Sequence, residues 1–217
     1  MKIKICGMRE PDNIRQVTDL HPDYMGVIFW SGSPRNACQL DPAVLATVPQ
    51  TIRRVGVFVN ETEEQVIRTA LRYRLDLVQL HGHESPETCR RINRIIPVIK
   101  ALSVATQADL EQTQCYQDCC SILLVDTKTP TYGGSGQQFD WSLLEHYTGH
   151  LPFLLSGGIG PQDAERLLSL SHHALLGFDL NSRFESAPGH KEYDLLKPFI
   201  EQFKKQNHEA NSKQLTR

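Results

Sequence analysis

The 217-residue chain has no apolar run long enough to cross a membrane, no basic stretch interleaved with aromatics, and no G-x-G-x-x-G after its first candidate strand. The first absence predicts no membrane partner. The second, with a formal net charge of -2, argues against a nucleic-acid surface, so any anionic partner is expected to be a small molecule held in a local pocket. The third removes the dinucleotide site that an open doubly wound sheet places at its first βα turn. The opening Met1-Lys2-Ile3-Lys4-Ile5-Cys6 lacks the apolar core and small-residue cleavage site of a signal peptide. A cytoplasmic location is expected, with the six cysteines reduced. Cys115, Cys119 and Cys120 lack a second C-x-x-C or H-x-H element, so they read as buried thiols, and no metal is expected.

What is present points to one folded domain. Hydrophobic residues make up 40% and charged residues 22% of the chain, close to the average for a globular protein. Short β-rich runs alternate with amphipathic stretches from end to end. The candidate strands are 2–5, 24–29, 54–58, 75–80, 98–101, 121–125, 153–155 and 175–179. Helices are predicted at 63–73, where Val66, Ile67, Ala70 and Leu71 form an apolar stripe, at 86–95, and near 193–204. Thr62 with Gln65, Ser85-Pro86-Glu87 and Gly160-Pro161-Gln162 mark helix starts. An α/β fold, a single (β/α)₈ barrel over residues 1–205, is therefore expected, with residues 206–217 as a frayed polar tail and the chain a monomer or homodimer.

Strand ends of such a barrel converge on one mouth, so the polar residues found there are the candidate site. They are Cys6, Arg35, Asn60, Gln79, His81 and Asp126, followed by Gly134 and Ser135, then Ser156, Gly157 and Gly158, then Asn181 and Ser182. A lone cysteine is as often an inert packed thiol as a nucleophile. Asp126 directly follows the apolar Ile122-Leu123-Leu124-Val125; partial removal from water favours the protonated carboxyl, which suits general-acid work. Residues 126–136 make a loop too long for a simple turn, one able to close over a substrate. Ser156-Gly157-Gly158 before a helix start has the makings of a phosphate cradle, or of a plain tight turn. Gln79 and His81 could equally be solvated strand ends.

The strings Lys4-Ile5-Cys6-Gly7, Ser33-Pro34-Arg35, Val55-Gly56-Val57-Phe58-Val59-Asn60, Val78-Gln79-Leu80-His81-Gly82, Asp126-Thr127-Lys128 with Gly133-Gly134-Ser135-Gly136, Phe139-Asp140-Trp141 and Leu155-Ser156-Gly157-Gly158 resemble those of the phosphoribosylanthranilate isomerase family. They occur in family order from Lys2 to about Phe199. The resemblance implies a barrel that catalyses an Amadori rearrangement in tryptophan biosynthesis without cofactor or metal. It also implies Cys6 as general base, Asp126 as general acid, and Arg35 as the contact for the anthranilate carboxylate. An ordinary thiol ionises too little near neutrality, so the site is expected to lower the Cys6 pKa or to recruit the substrate's charge.

One stretch departs from the family. Asp179-Leu180-Asn181-Ser182-Arg183-Phe184-Glu185 has Arg183 where many relatives have Gly, so a different loop is expected there. Two alternatives stay open. One is another sugar-phosphate barrel, such as a ribulose-phosphate epimerase holding a metal or an indole-glycerol-phosphate synthase using Lys4 or Lys100 as its acid. The other is a catalytically silent phosphate-binding barrel.

Overall fold

A computed structural model describes the backbone of residues 1–127 and 140–214, with side chains to residue 205. Its chain order is β1 (Lys2–Ile5), α1 (Pro11–Thr18), β2 (Tyr24–Ile28), α2 (Pro42–Ala46), β3 (Arg53–Phe58), α3 (Glu63–Tyr73), β4 (Leu77–Leu80), α4 (Pro86–Asn93), β5 (Val98–Val104), α5 (Gln107–Glu111), β6 (Ile122–Thr127), β7 (Phe153–Leu155), α6 (Ala164–Ser169), β8 (Leu175–Leu180), β9 (Glu185–Ala187), β10 (His190–Lys191) and α7 (Tyr193–Gln214). The eight strands β1 to β8 pair in sequence order, all parallel, and β8 closes on β1. Among the described residues, short 3₁₀ turns follow α5, precede β7 and lead into α6.

Alternation along each strand sorts side chains into two cores. Ile3 and Ile5 pack outward with Ile14 and Val17 of α1, in the large layer between strands and helices. Inside the barrel lie Tyr24, Val55, Leu77, Ile99, Leu124 and Leu154, one from each of β2 to β7. Above them Cys6, Ile28 and Val57 form the floor of the mouth. The residues of β1 that point inward are therefore Lys4 and then Cys6.

Two strands outrun the sequence reading. β5 continues to Val104 and β6 to Thr127, paired through Ser103–Asp126 and Val104–Thr127. The apolar run ends before the hydrogen-bond ladder does, so Asp126 lies inside β6 rather than after it. Helix α7 likewise runs past Lys204. Arg183 lies in a 3₁₀ turn, Ser182–Phe184, and is not among the described non-glycine residues with positive φ, so no left-handed strain attends the missing glycine. That turn leads into the β9–β10 hairpin, an antiparallel pair the sequence did not announce.

Helix starts follow local chemistry. Thr62 caps α3 by accepting from the Gln65 amide at 3.2 Å, and Ser85 caps α4 by accepting from Thr88 at 3.1 Å. Thr62→Ala is expected to cost about 1 kcal/mol, seen as a melting midpoint about 2–4 °C lower, without change in activity. An unchanged midpoint in a thermal melt would remove the cap from the account of α3.

Candidate active site at the barrel mouth

Cys6 leaves β1 with its amide bonded to the Leu180 carbonyl at 2.9 Å, so β8 fixes its height at the rim. Its side chain is 3% exposed. Gly26 of β2 makes this possible, because a Cβ there would stand 2.7 Å from the Cys6 sulfur. Gly7 next to it adopts φ +81°, and a side chain there would strike Arg35 and Asn181. Burial pushes the Cys6 thiol up, and the nearby Lys4 and Lys191 charges offset only part of that. The expectation that the site itself lowers this pKa is not met; burial is the larger effect.

Across the mouth stands an acid with two partners. Asp126 accepts from the Thr127 amide at 2.8 Å through one oxygen and faces His81 Nε2 at 3.2 Å through the other. Gln79 Nε2 lies 2.8 Å from His81 Nδ1. An amide N–H donating to Nδ1 leaves the ring proton on Nε2, directed at Asp126. Gln79 is 1% exposed, and its Oε1 is buried without a partner among the described residues. The loop that presents His81 is tied down by a second buried pair: Lys100 binds Glu84 at 2.8 Å and the Gly82 carbonyl at 2.7 Å, while Glu84 accepts from the Asn60 amide at 2.9 Å. Asn60 thus belongs to this scaffold.

Arg35 reaches the mouth already engaged. Its Nε donates to both Glu185 oxygens at 3.0 and 2.9 Å, and a terminal nitrogen donates to Oε2 at 2.7 Å. Glu185 also binds Lys191, which donates to Asn181 Oδ1 at 3.0 Å. Burial alone would raise the Glu185 carboxyl, but Arg35 and Lys191 outweigh it and hold it below the ordinary range. Lys191 goes the other way, lowered because burial outweighs its carboxylate. The β9–β10 hairpin exists at this site to deliver both residues.

These groups border a cavity of about 230 Å³ lined by Cys6, Arg35, Gln79, His81 and Asp179, with Ile28, Trp30, Val57 and Val59 as apolar walls. The late loops are placed less directly. Gly157 and Gly158 both have positive φ, and a Cβ on Gly157 would lie 2.6 Å from the Thr127 nitrogen, so only glycine lets β7 turn against β6 here. Ser156 donates its hydroxyl to Asp179 Oδ2 at 3.2 Å, and the Asn181 side chain turns to Lys191, so both look into the buried network. The helix start expected at Pro161 is a 3₁₀ turn whose Gly160 amide is taken by Asp163 at 2.7 Å. Gly134 and Ser135, and the loop expected to close over substrate, lie outside the described residues. Asp179, Glu185, Lys191 and Trp30 were missed as site residues. The signal for Asp179 was available, as a charge inside an otherwise apolar strand; Glu185 and Lys191 meet Arg35 only through the fold.

Three comparisons bear on this arrangement. Residues 3–202 match the family model described as N-(5'-phosphoribosyl)anthranilate (PRA) isomerase. The chain is 46% identical over 205 residues to the N-(5'-phosphoribosyl)anthranilate isomerase of Parabacteroides distasonis, covering 93% of each. It is similar to the crystal structure of the Thermotoga maritima phosphoribosyl anthranilate isomerase, with TM-score 0.84 and 34% identity over 94% of this chain and 98% of that one. A further neighbour, with TM-score 0.81 and 31% identity over 94% and 98%, is a phosphoribosyl anthranilate isomerase in complex with reduced 1-(o-carboxyphenylamino)-1-deoxyribulose 5-phosphate.

The close approach of Gly26 to Cys6 gives a direct test of the rim. Gly26→Ala is expected to displace the thiol and lower kcat on the order of tenfold or more, with a stability loss of about 1–3 kcal/mol. Unchanged kcat in steady-state assays would show that the position of the sulfur does not matter.

Proposed function

The chain belongs to the N-(5'-phosphoribosyl)anthranilate isomerase family, and we propose that in its reaction Asp126 is the general acid, Cys6 the general base and Arg35 the ligand of the anthranilate carboxylate. Members of this family are isomerases that catalyse an Amadori rearrangement in tryptophan biosynthesis, and this chain is one of them. The other sugar-phosphate barrels and the silent barrel give way to that assignment. Lys4 and Lys100, the two lysines that kept a synthase in view, are each committed to a buried carboxylate.

The observation that carries the assignment of roles is a single cavity joining Cys6, Arg35, Gln79 and His81, with His81 in turn holding Asp126. Asp126 passes a proton to the furanose ring oxygen, and the C1′–O bond breaks to leave an iminium ion. The positive nitrogen acidifies the proton on C2′, which Cys6 takes as thiolate, giving an enolamine. Protonation at C1′ and loss of the hydroxyl proton at C2′ complete the ketone. A thiol raised by burial is neutral at rest, so the iminium charge is what favours its ionised form when it is needed.

Ile28, Trp30, Val57 and Val59 suit the aromatic ring of anthranilate, and Arg35 lies at the same cavity. Glu185 orients the Arg35 fork, which shortens the search for a bidentate carboxylate contact. The phosphate falls to Gly157 and Gly158 with Gly134 and Ser135, and to the main chain at Asn181 and Ser182. Gln79 Oε1 is the acceptor left for a substrate hydroxyl or N–H.

Asp126→Asn is expected to lower turnover by about 10²-fold or more while KM stays within about tenfold, because the amide keeps the shape but has no proton to give. Near-normal turnover would refute the acid assignment. Arg35→Met is expected to raise KM about 10- to 100-fold with a smaller change in kcat, since the carboxylate does not react. An unchanged KM would move that contact elsewhere. Lys191 still pairs Glu185 in this variant, so the fold should persist.

A further inference from the structure

Lys4 is fully buried inside the barrel, on the same face of β1 as Cys6 and two residues before it. Its ammonium binds Asp179 Oδ1 at 2.8 Å, straight across from it in the β1–β8 pairing. The other Asp179 oxygen accepts from Ser156 at the end of β7. Three neighbouring strands thus contribute a chain of contacts, Ser156 to Asp179 to Lys4, that ends under the sulfur. A buried ion pair of this kind is weak support for stability, because an apolar pair of the same volume commonly does as well. What the pair does supply is a cation held in place.

We propose that Lys4 is a positioning residue for the base: anchored by Asp179, its ammonium holds the Cys6 thiolate that the reaction requires. The inference rests on Cys6 being the base and adds how a buried sulfur carries a negative charge. Asp179, which holds the Lys4 ammonium at 2.8 Å, lines the same cavity as Cys6. From the other elements around the thiol, Asp179 of β8 opposes the thiolate and Lys191 of β10 favours it, while β2 offers the uncharged Gly26 and Ile28 and β3 the apolar Val57. Arg35 and His81 border the same cavity. Lys4, Arg35 and Lys191 are three basic groups set against the two carboxylates Asp179 and Glu185, a positive surplus that favours the thiolate once it forms.

The two ends of the pair should act with opposite sign. Iodoacetamide labelling of Cys6, followed across pH by mass spectrometry of its peptide, reads the ionisation of that sulfur apart from the other cysteines. Lys4→Gln is expected to move the labelling midpoint up by about one unit or more, slowing alkylation near pH 7 about tenfold, and to move the basic limb of kcat/KM with it. Asp179→Asn frees Lys4 for the sulfur and is expected to move the midpoint down by a similar amount. Lys4→Arg, which keeps the charge, should recover most of the wild-type profile. A wild-type midpoint in Lys4→Gln, or shifts of the same sign in both variants, would overturn the proposal. If Lys4→Gln fails to fold, Asp179→Asn decides alone: an unchanged or raised midpoint overturns it. Cys6→Ser separates the underlying reading, because full activity there would refute the base role whatever the labelling shows.

Discussion

The ion pair between Lys4 and Asp179 is the constraint around which the mouth of this barrel is built. A lysine on an inward strand position meets apolar side chains on nearly every side, and its charge has to be answered within the barrel. Asp179 answers it because β8 closes on β1 in the register that sets the two residues opposite each other. Barrel closure and the site are therefore one requirement: a shift of one residue would turn Asp179 outward, leave Lys4 unanswered and change the height of Cys6. The one-residue irregularity between β7 and β8 lies earlier, at Phe153–Leu154, and leaves the β8–β1 ladder in register.

A second set of charges does the same for the side of the mouth that carries Arg35. Arg35, Glu185, Lys191 and Asn181 come from the loop after β2, the hairpin and the turn after β8, yet they hold one another in fixed geometry. A guanidinium with a long flexible stem would otherwise lose side-chain entropy on binding an anion. Glu185 has imposed that ordering during folding. The cost is a carboxylate that would compete with any anion binding at Arg35, so an anion that also fills the apolar walls would be favoured.

How much of this was legible depended on the range of the interaction. The eight strands were readable because short apolar runs recur between amphipathic stretches, and the bounds of α3 were readable because Thr62 is a local signal, although its buried face is Val66, Thr69, Ala70 and Tyr73 and the expected Leu71 is exposed. Cys6, Asp126, Gln79 and His81 were findable because a parallel barrel brings strand ends together whatever their separation in sequence. Lys4–Asp179 and Arg35–Glu185 lie far apart in the chain, 175 and 150 residues, and nothing local marks either as a pair. The hairpin escaped for a different reason: Glu185-Ser186-Ala187-Pro188-Gly189-His190-Lys191 has no alternating apolar pattern, since it serves to place charges rather than to bury a face. Strand ends at Val104 and Thr127 were misplaced because the ladder continues through residues that apolar periodicity does not count.

Asp126 and Cys6, the acid and base proposed above, occupy environments that differ in kind. Asp126 retains 15% side-chain exposure and accepts from a main-chain amide and from His81. Cys6 is buried at the floor of the mouth, with burial favouring the neutral thiol and the Lys4 and Lys191 charges favouring the thiolate. A base that ionised freely would repel an anionic substrate on entry. One that ionises only beside a positive nitrogen does not, so under the proposed roles the charge created by the acid step would favour the base step that follows it.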